Sequence, residues 1–169
     1  MPNPPTKSYI AVGANLGDRE ANIRSAIDAL NHLPGTRVTR ASRLIENPAI
    51  GGPQDSPDFL NGAIEIETNL DPHTLLKHLL TIELNLGRTR REKWEPRLID
   101  LDLLLYGDQI ISSKDLTLPH PLMHTRRFVL EPLAELVPDL LHPIFGKSIT
   151  ELLAALSNRA QGHKDTKAQ

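Results

Sequence analysis

The chain has 169 residues, a length that favours one domain with a sizeable core. Its 19 basic and 21 acidic residues nearly balance, which argues against a protein coated with basic charge for nucleic-acid binding, and the absence of cysteine excludes disulfides, thiolate metal sites and cysteine nucleophiles. The sequence has no apolar run long enough to cross a membrane and no apolar signal core near residue 1, so we expect a cytoplasmic protein that binds neither membrane nor nucleic acid.

Hydrophobic periodicity predicts strands and helices in alternation along the chain. Asp18 is placed to cap the first helix, Asp71 caps the second, and Gly87 ends the second. The predicted elements are a strand at 8–12, a helix at 19–33, strands at 36–45 and 59–68, a helix at 72–86, a strand at 99–106 with a hairpin into 109–112, and helices at 128–137 and 148–156. Residues 1–7 and 157–169 are expected to be flexible.

The predicted order of the first six elements is β-α-β-β-α-β. This order is typical of a ferredoxin-like α+β fold, in which helices pack on one face of an antiparallel sheet, and here extra C-terminal elements follow that core. No internal repeat and no linker divides the chain, so we expect one domain over residues 1–169. The fold alone does not indicate a function.

A pair of aspartates stands in the predicted strand at 99–106. Asp100 and Asp102 are two residues apart, so their side chains point to one face, while Leu101, Leu103 and Leu105 point to the other. Neighbouring carboxylates near a core repel each other and lose hydration, and a divalent cation such as Mg²⁺ relieves both costs. The alternative is a pair of solvated acids on an open sheet face.

A basic loop leads directly into this strand. Five of the eleven residues from Gly87 to Arg97 are basic, and Trp94 is the only aromatic residue among them. Arginine binds phosphate oxygens through paired N–H groups, and tryptophan can stack on a base or cover a cation. Taken alone, the loop is more typical of a solvated charge run, but its position beside the aspartate pair shifts this balance, because cations converging on a metal site suit a polyphosphate.

The segment from Pro119 to Phe128 adds donors and positive charge. Its four basic or titratable side chains are His120, His124, Arg126 and Arg127. Two histidines without further spaced ligands are weak evidence for zinc, and surface or capping roles remain the alternatives.

The start of the predicted strand at 59–68 pairs an aromatic ring with an amide. Phe59 and Asn61 share one strand face, and a ring beside a side-chain amide suits a flat heterocycle with donors and acceptors. A half-buried phenylalanine and an asparagine at the edge of a turn are the alternative.

Common motifs for nucleotide and acyl chemistry are missing. The chain contains no Gly-x-x-x-x-Gly-Lys-Ser/Thr phosphate loop and no Gly-x-Ser-x-Gly nucleophile elbow, and Gly13-Ala-Asn-Leu-Gly17 is not a dinucleotide fingerprint. Nucleotide chemistry in this chain must therefore use arginine, histidine and a metal held by aspartate.

Four segments in the same order closely resemble one known family. They are Val12-Gly-Ala-Asn-Leu-Gly17, Gly52-Pro-Gln-Asp-Ser-Pro-Asp-Phe-Leu-Asn61, Trp94-Glu-Pro-Arg-Leu-Ile-Asp-Leu-Asp102, and Pro119-His-Pro with His124-Thr-Arg-Arg-Phe128. The family is 6-hydroxymethyl-7,8-dihydropterin pyrophosphokinase of folate biosynthesis, and the likeness covers about residues 8–156. The resemblance implies an ATP-dependent diphosphotransferase that moves pyrophosphate from ATP to the hydroxymethyl oxygen of a reduced pterin and releases AMP. It also implies a ferredoxin-like fold, two Mg²⁺ ions and a monomer.

The resemblance further implies roles for individual positions. Asp100 and Asp102 match the family's metal ligands, and Arg88 and Arg97 match arginines that act on the phosphates. The positions that match pterin contacts are Asn47, Pro48, Ile50, Phe59, Asn61, Asp100 and Phe128. The positions that match ATP contacts are Glu83, Arg90, Trp94, Arg97, Thr117, His120 and Arg126. Two departures from the family pattern are Ala14, where serine is common, and Glu95, where glycine is common.

Two other function classes remain to be compared with the kinase. A non-catalytic RNA-binding module is disfavoured because the chain lacks both the RNA-recognition signature and a net positive charge. A metal-dependent phosphohydrolase could use the same aspartates, but it needs an activated water, and no further acidic cluster indicates one.

Overall fold

A computed structural model describes residues 4–47, 58–87 and 98–167, with side chains described as far as residue 158. The helices and strands are β1 (Thr6–Ala14), α1 (Arg19–Asn31), β2 (Thr36–Ala41), β3 (Ile45–Asn47), β4 (Phe59–Thr68), α2 (Pro72–Leu86), β5 (Asp100–Tyr106), β6 (Ile111–Ser112), β7 (Thr117–Leu118), a 3₁₀ turn (Met123–Thr125), α3 (Arg127–Leu136) and α4 (Ile149–Lys167). No helix in the described ranges is both long and apolar enough to cross a bilayer.

The main sheet is antiparallel and has β1 near its centre. Its strand order is β2-β4-β1-β5, and β3 also pairs with β4. The strand predicted at 36–45 is two strands, because Ser42 interrupts it: the backbone of Ser42 donates to the Ala63 carbonyl, and its side chain accepts from the Ala63 N–H. The Ser42 hydroxyl thus keeps the chain hydrogen-bonded to β4 between the end of β2 and the start of β3.

Helices cover both faces of the sheet, because the extra C-terminal elements add helices on the face opposite to that of the two core helices. α1 and α2 pack on the first face, and α3 and α4, which belong to the extra C-terminal elements, pack on the second. Buried residues of the first core include Ile10, Val12, Ile23, Leu30, Leu60, Ile64, Leu75 and Leu79. Buried residues of the second core include Tyr9, Ala63, Leu104, Leu105, Val129, Leu130, Leu133 and Leu152.

A β-bulge in β5 decides which side chains meet which core. Tyr9 pairs with Leu105 but Ile10 pairs with Leu103, so Leu104 is the extra residue. A bulge shifts the alternation by one position. Leu105 therefore joins the second core, against the prediction, whereas Leu101 and Leu103 lie in the first core as predicted.

The helix ends follow local capping signals. Asp18 accepts a hydrogen bond from the Ala21 N–H, and Asp71 accepts one from the Thr74 N–H, as predicted for N-caps. The N–H of Gly87 donates to the Glu83 carbonyl and ends α2 at the predicted place. The structure confirms α2 over the predicted range, while α1 ends two residues early, at Asn31.

Chain segments after β5 depart most from the prediction. β6 pairs with β7 rather than with β5 as the predicted hairpin requires. On the β5 side, the N–H of His120 donates to the Leu104 carbonyl. The helical backbone of α4 continues to Lys167, well beyond the predicted end at 156, and β1 already begins at Thr6.

Candidate active site

Three neighbouring strands align the polar residues of the site in one row. In the register of the sheet Asn61 of β4 faces Gly13 of β1, and Gly13 faces Asp100 of β5. The next row contains Ala63, Ala11 and Asp102. Residues that are far apart in sequence are therefore brought together on the second face of the sheet, at the end where α3 begins.

A cleft of about 670 Å³ opens over this row. Seven of the predicted site residues line it: Asn47, Phe59, Asn61, Asp100, Asp102, Arg126 and Phe128. The predictions for the pterin and for the metal thus converge on one cavity, whose size suits a small ligand.

The aspartate pair lies at one side of the cleft. Asp100 and Asp102 are both half-buried, and the two-residue spacing places them on the same face, as predicted. Within residues 4–47, 58–87 and 98–158 no group of three or more acidic, histidine or cysteine side chains is arranged to hold a metal. Two carboxylates on one face fit Mg²⁺, which commonly takes one or two carboxylates and completes its octahedron with phosphate oxygens and water.

Glu83 supports the strand that carries the aspartates. Its side chain is 8% exposed, and its Oε2 accepts a 2.7 Å hydrogen bond from the N–H of Leu101. Leu101 stands between the two aspartates. The resemblance predicts that Glu83 contacts ATP, and that contact stays a prediction, since the carboxylate has a backbone partner in the structure.

Asparagine side chains form the floor of the cleft. Nδ2 of Asn47 donates to Oδ1 of Asn61 at 2.8 Å, and Asn61 is 9% exposed. Nδ2 of Asn61 lies beside Gly13. Because its oxygen is already engaged by Asn47, the Asn61 amide has a defined orientation.

Two half-buried rings come from different elements. Phe59 is the first residue of β4, and Phe128 lies in the first turn of α3, which packs against β4. The guanidinium carbon of Arg126 lies 5.9 Å from the centre of the Phe128 ring, within the range of a cation–π contact. Arg126 thereby carries a positive charge to the edge of the cleft.

His120 lies in the electrostatic field of the site. Burial lowers its pKa, the Asp102 carboxylate raises it and Arg126 lowers it further, and the net shift is downward. Its Nδ1 accepts from the Leu122 N–H at 3.1 Å, so the neutral ring carries its proton on Nε2. His120 is therefore suited to act as a neutral hydrogen-bond donor.

Arg19 connects the two chain segments that border the cleft on the sheet side. Its Nη1 donates to the Asp58 carbonyl at 2.8 Å, and its Nη2 donates to the Glu46 carboxylate at 3.0 Å. Asp58 precedes Phe59, and Glu46 precedes Asn47. One half-buried arginine thus ties together the neighbours of two cleft residues.

Some predicted residues lie elsewhere or outside the described ranges. Thr117 is exposed in β7, and His124 makes an edge contact with the Phe145 ring at 4.8 Å. The predicted residues that fall outside the described ranges are Pro48, Ile50, Arg88, Arg90, Trp94 and Arg97. Of the two departures, Ala14 is buried in the first core, and Glu95 is outside the described ranges.

Several lining residues had no role in the sequence interpretation. They are Ala11, Val12, Gly13, Thr125 and Val129, whereas Arg127 had been named only as a source of positive charge. Gly13 has the clearest reason for its identity, since a Cβ there would lie 2.8 Å from Nδ2 of Asn61. The glycine in the first family-like motif was the available signal, but its partner Asn61 is visible only once the strands are in register.

A family model and curated relatives indicate the same family for this chain. A family model described as 7,8-dihydro-6-hydroxymethylpterin-pyrophosphokinase (HPPK) matches residues 9–138. A Pseudomonas aeruginosa protein named 2-amino-4-hydroxy-6-hydroxymethyldihydropteridine pyrophosphokinase is 47% identical over 148 residues, which are 87% of this chain and 90% of that protein. A Bacillus subtilis protein of the same name is 45% identical over 129 residues, or 76% of this chain and 77% of that one.

Solved structures agree on the fold. The crystal structure of wild-type Plasmodium falciparum HPPK-DHPS with pteroate has a TM-score of 0.74 and 15% identity, and the match covers 98% of this chain. The chain spans 45% of that longer protein. At this identity the likeness supports a common fold and nothing finer.

Proposed function

The chain belongs to the 7,8-dihydro-6-hydroxymethylpterin-pyrophosphokinase family, and from this premise we propose how its cleft performs the family's reaction. The protein transfers pyrophosphate from ATP to the hydroxymethyl group of 6-hydroxymethyl-7,8-dihydropterin and releases AMP, a step of folate biosynthesis. The observation that carries the assignment of the site is the row Asn61–Gly13–Asp100, because it sets an amide beside a carboxylate within one cleft.

The pterin is proposed to bind between the rings of Phe59 and Phe128. A flat bicyclic ligand gains offset stacking from both aromatic faces. Asn61, oriented by Asn47, reads the donors and acceptors along the pterin edge, and the backbone at Pro48 and Ile50 completes this contact. A site that hydrogen-bonds a ligand in this way discriminates strongly against analogues that leave its buried polar groups unpaired.

Asp100 and Asp102 are proposed to hold two Mg²⁺ ions, and Asp100 also borders the pterin. Bound Mg²⁺ offsets negative charge on the phosphate oxygens and on the attacking and leaving oxygens. The half-buried position of both carboxylates supports this role, since it keeps them close to the pterin pocket while leaving them accessible from the cleft.

ATP is proposed to lie across the cleft from the pterin. His120 donates through Nε2, and Arg126 supplies positive charge beside the Phe128 ring. Thr117 contacts ATP from β7. Arg88 and Arg97 act on the phosphates, and Arg90 and Trp94 complete the ATP contacts by family position.

The transfer itself rests on positioning and electrostatics. The hydroxymethyl oxygen attacks the β-phosphorus in line, its proton is released, and the bond from the β-phosphorus to the oxygen of the α-phosphate breaks, so that AMP leaves. Phe59, Asn61 and Phe128 hold the attacking oxygen in place, and the arginines and His120 bind the phosphate oxygens. No side chain of this chain needs to form a covalent intermediate.

The fold topology, the number of domains, the oligomeric state and the location are part of the same proposal. The strand order β2-β4-β1-β5, with helices after β1 and β4, supports a ferredoxin-like βαββαβ core. We infer a single domain over residues 1–169 that works as a cytoplasmic monomer.

One assay tests the proposed reaction. The protein is incubated with ATP and Mg²⁺, with and without 6-hydroxymethyl-7,8-dihydropterin, and AMP and inorganic phosphate are followed. AMP formation that requires the pterin supports the proposal. Phosphate release without pterin would indicate a hydrolase, and binding without either product would indicate a non-catalytic module.

A further inference from the structure

A buried carboxylate contacts the backbone between the two aspartates. Oε2 of Glu83 accepts the Leu101 N–H at 2.7 Å, and Glu83 itself is 8% exposed. A buried backbone N–H needs an acceptor in place of water, and the side-chain oxygen of Glu83 supplies it here. This bond is therefore a firm attachment of α2 to β5.

The position of β5 in the sheet explains why this attachment is needed. β5 is the last strand of the order β2-β4-β1-β5, and alternate N–H groups of such a strand point away from its neighbour. The Leu101 N–H points towards α2, where Glu83 accepts it. On the opposite side Leu101 pairs in register with Val12 of β1. The Leu101 amide is therefore bonded to Glu83 and not to β1, so Glu83 holds a part of the β5 backbone that the sheet leaves unbonded.

The backbone of Glu83 is also fixed. Its carbonyl accepts the N–H of Gly87 at 3.0 Å, in the last turn of α2. The side chain consequently extends from a fixed point on the helix to a fixed point on the strand. Its length and its acceptor oxygen together set the distance between the two.

We propose that Glu83 is a positioning residue for the aspartate pair, and that it acts through the Leu101 amide to set the orientation of the Asp100 and Asp102 side chains. The Leu101 nitrogen belongs to the rigid peptide plane between Asp100 and Leu101, so a rotation of that plane changes the orientation of the Asp100 carboxylate relative to that of Asp102. Ligands of a metal must be held within a fraction of an ångström, and the groups that orient them affect affinity strongly. This inference rests on the proposed metal-binding role of the aspartates.

A positioning role and a direct contact with ATP require different properties of the Glu83 side chain. A direct contact depends on the negative charge. A positioning role depends on an acceptor atom at the right reach. Glu83→Gln keeps the acceptor and the length but removes the charge, whereas Glu83→Asp keeps the charge and withdraws the acceptor by one methylene. The two roles therefore predict opposite rankings of two conservative variants.

The experiment measures the affinity of the protein for Mn²⁺, which replaces Mg²⁺ because it is paramagnetic. Protein is added to Mn²⁺ without nucleotide, and binding is followed by the loss of the electron paramagnetic resonance signal of the free ion. We expect Glu83→Asp to weaken Mn²⁺ binding roughly 10- to 100-fold and Glu83→Gln to bind Mn²⁺ close to the unmodified level. Ile82→Val is the matched control, since Ile82 is buried in the same helix turn but packs in the first core. Thermal unfolding confirms that each variant is folded.

Every other ranking contradicts the proposal. Equal weakening in both variants, normal binding in both, or loss in Glu83→Gln alone would each overturn a positioning role. Asp102→Asn in the same titration separates this failure from that of the proposed function. Unchanged Mn²⁺ binding in Asp102→Asn would refute the proposed metal site itself. Weaker Mn²⁺ binding in Asp102→Asn together with normal binding in Glu83→Asp would refute only the proposed role of Glu83.

Discussion

Gly13 and Asn61 face each other across β1 and β4, and the space beside Gly13 is filled by the Asn61 amide. A Cβ at position 13 would lie 2.8 Å from Nδ2 of Asn61, closer than real Cβ atoms come to other heavy atoms. The missing side chain of Gly13 is therefore the condition for the Asn61 orientation. Since Gly13 also faces Asp100, one glycine keeps the centre of the row open.

Gly13→Ala is expected to displace the Asn61 amide and weaken pterin binding by about 1–3 kcal/mol, the usual effect of mispairing a buried polar group. Isothermal titration with the pterin or a non-reacting pterin analogue measures the change. Gly62→Ala is a matched control, because a Cβ there would also be crowded, at 2.7 Å from Leu44, but at a side chain of the first core. A larger loss of pterin affinity in Gly62→Ala than in Gly13→Ala would contradict this explanation.

Asn47 is expected to control the Asn61 amide through its 2.8 Å hydrogen bond. Asn47→Ala removes the donor and should weaken pterin binding moderately. Asn47→Asp places a carboxylate oxygen against the Asn61 oxygen and should weaken it further. Pterin dissociation constants give the ranking, and ATP affinity serves as the internal control. Pterin binding by Asn47→Asp at the unmodified level would show that the Asn61 orientation does not depend on residue 47.

Arg19→Ala is expected to raise the KM for pterin with little loss of stability. The guanidinium holds the Asp58 carbonyl and the Glu46 carboxylate next to two cleft residues, while an exposed ion pair contributes only about 0–1 kcal/mol to folding. Steady-state kinetics with each substrate varied measure the effect. Arg37→Ala, which removes the exposed pair with Glu67 on β2 and β4, is the control and should leave both KM values unchanged. Equal KM values for Arg19→Ala and Arg37→Ala would argue against a link between Arg19 and the cleft.

Glu65 is expected to make the fold sensitive to acid. Burial alone would raise its pKa, but hydrogen bonds from Arg40, Thr39 and Tyr9 outweigh burial and lower the pKa from 4.5 to about 2. The folded pKa lies below the unfolded one, so this stabilisation is full above about pH 4.5 and is lost as the pH falls towards 2. It amounts to something on the order of 3 kcal/mol.

Urea unfolding at a series of pH values tests this dependence. The unmodified protein should lose stability between pH 4.5 and 2 more steeply than Glu65→Gln, which has no carboxylate to titrate at that position. Glu65→Gln should also be the less stable of the two at pH 7, since Arg40 then lacks its charged partner. Parallel stability curves for the two proteins would show that Glu65 does not carry this sensitivity.

The features that could be predicted from sequence are those decided locally. The N-caps at Asp18 and Asp71 depend on residues three positions away, and the shared face of Asp100 and Asp102 depends only on strand alternation. The residues that we propose for the pterin and the metal within the described ranges come from the motif resemblance, which already encodes a spatial arrangement. They line one cleft, and their roles remain proposals.

The features that could not be predicted depend on contacts between distant segments. Leu105 lies on the second face of the sheet rather than the first because of the β-bulge, and this bulge appears only when β5 pairs with β1. Glu65 alternates as an exposed strand residue would, yet its side chain is only 3% exposed. Tyr9, Thr39 and Arg40 from two other strands bind its carboxylate. Likewise, the bond from Leu101 to Glu83 joins β5 to a preceding helix, and no pattern within either element indicates it.

The most direct test of the account is AMP formation by Asp102→Asn, measured in a single turnover with saturating ATP, Mg²⁺ and pterin. Asparagine keeps the size of the side chain and removes the charge proposed to hold Mg²⁺. We predict that AMP formation falls by roughly 10²- to 10³-fold, as expected when a group that stabilises transition-state charge is lost, while the pterin dissociation constant stays close to that of the unmodified protein. AMP formation at the unmodified rate would contradict the proposal that the aspartate pair beside Gly13 and Asn61 is the catalytic centre.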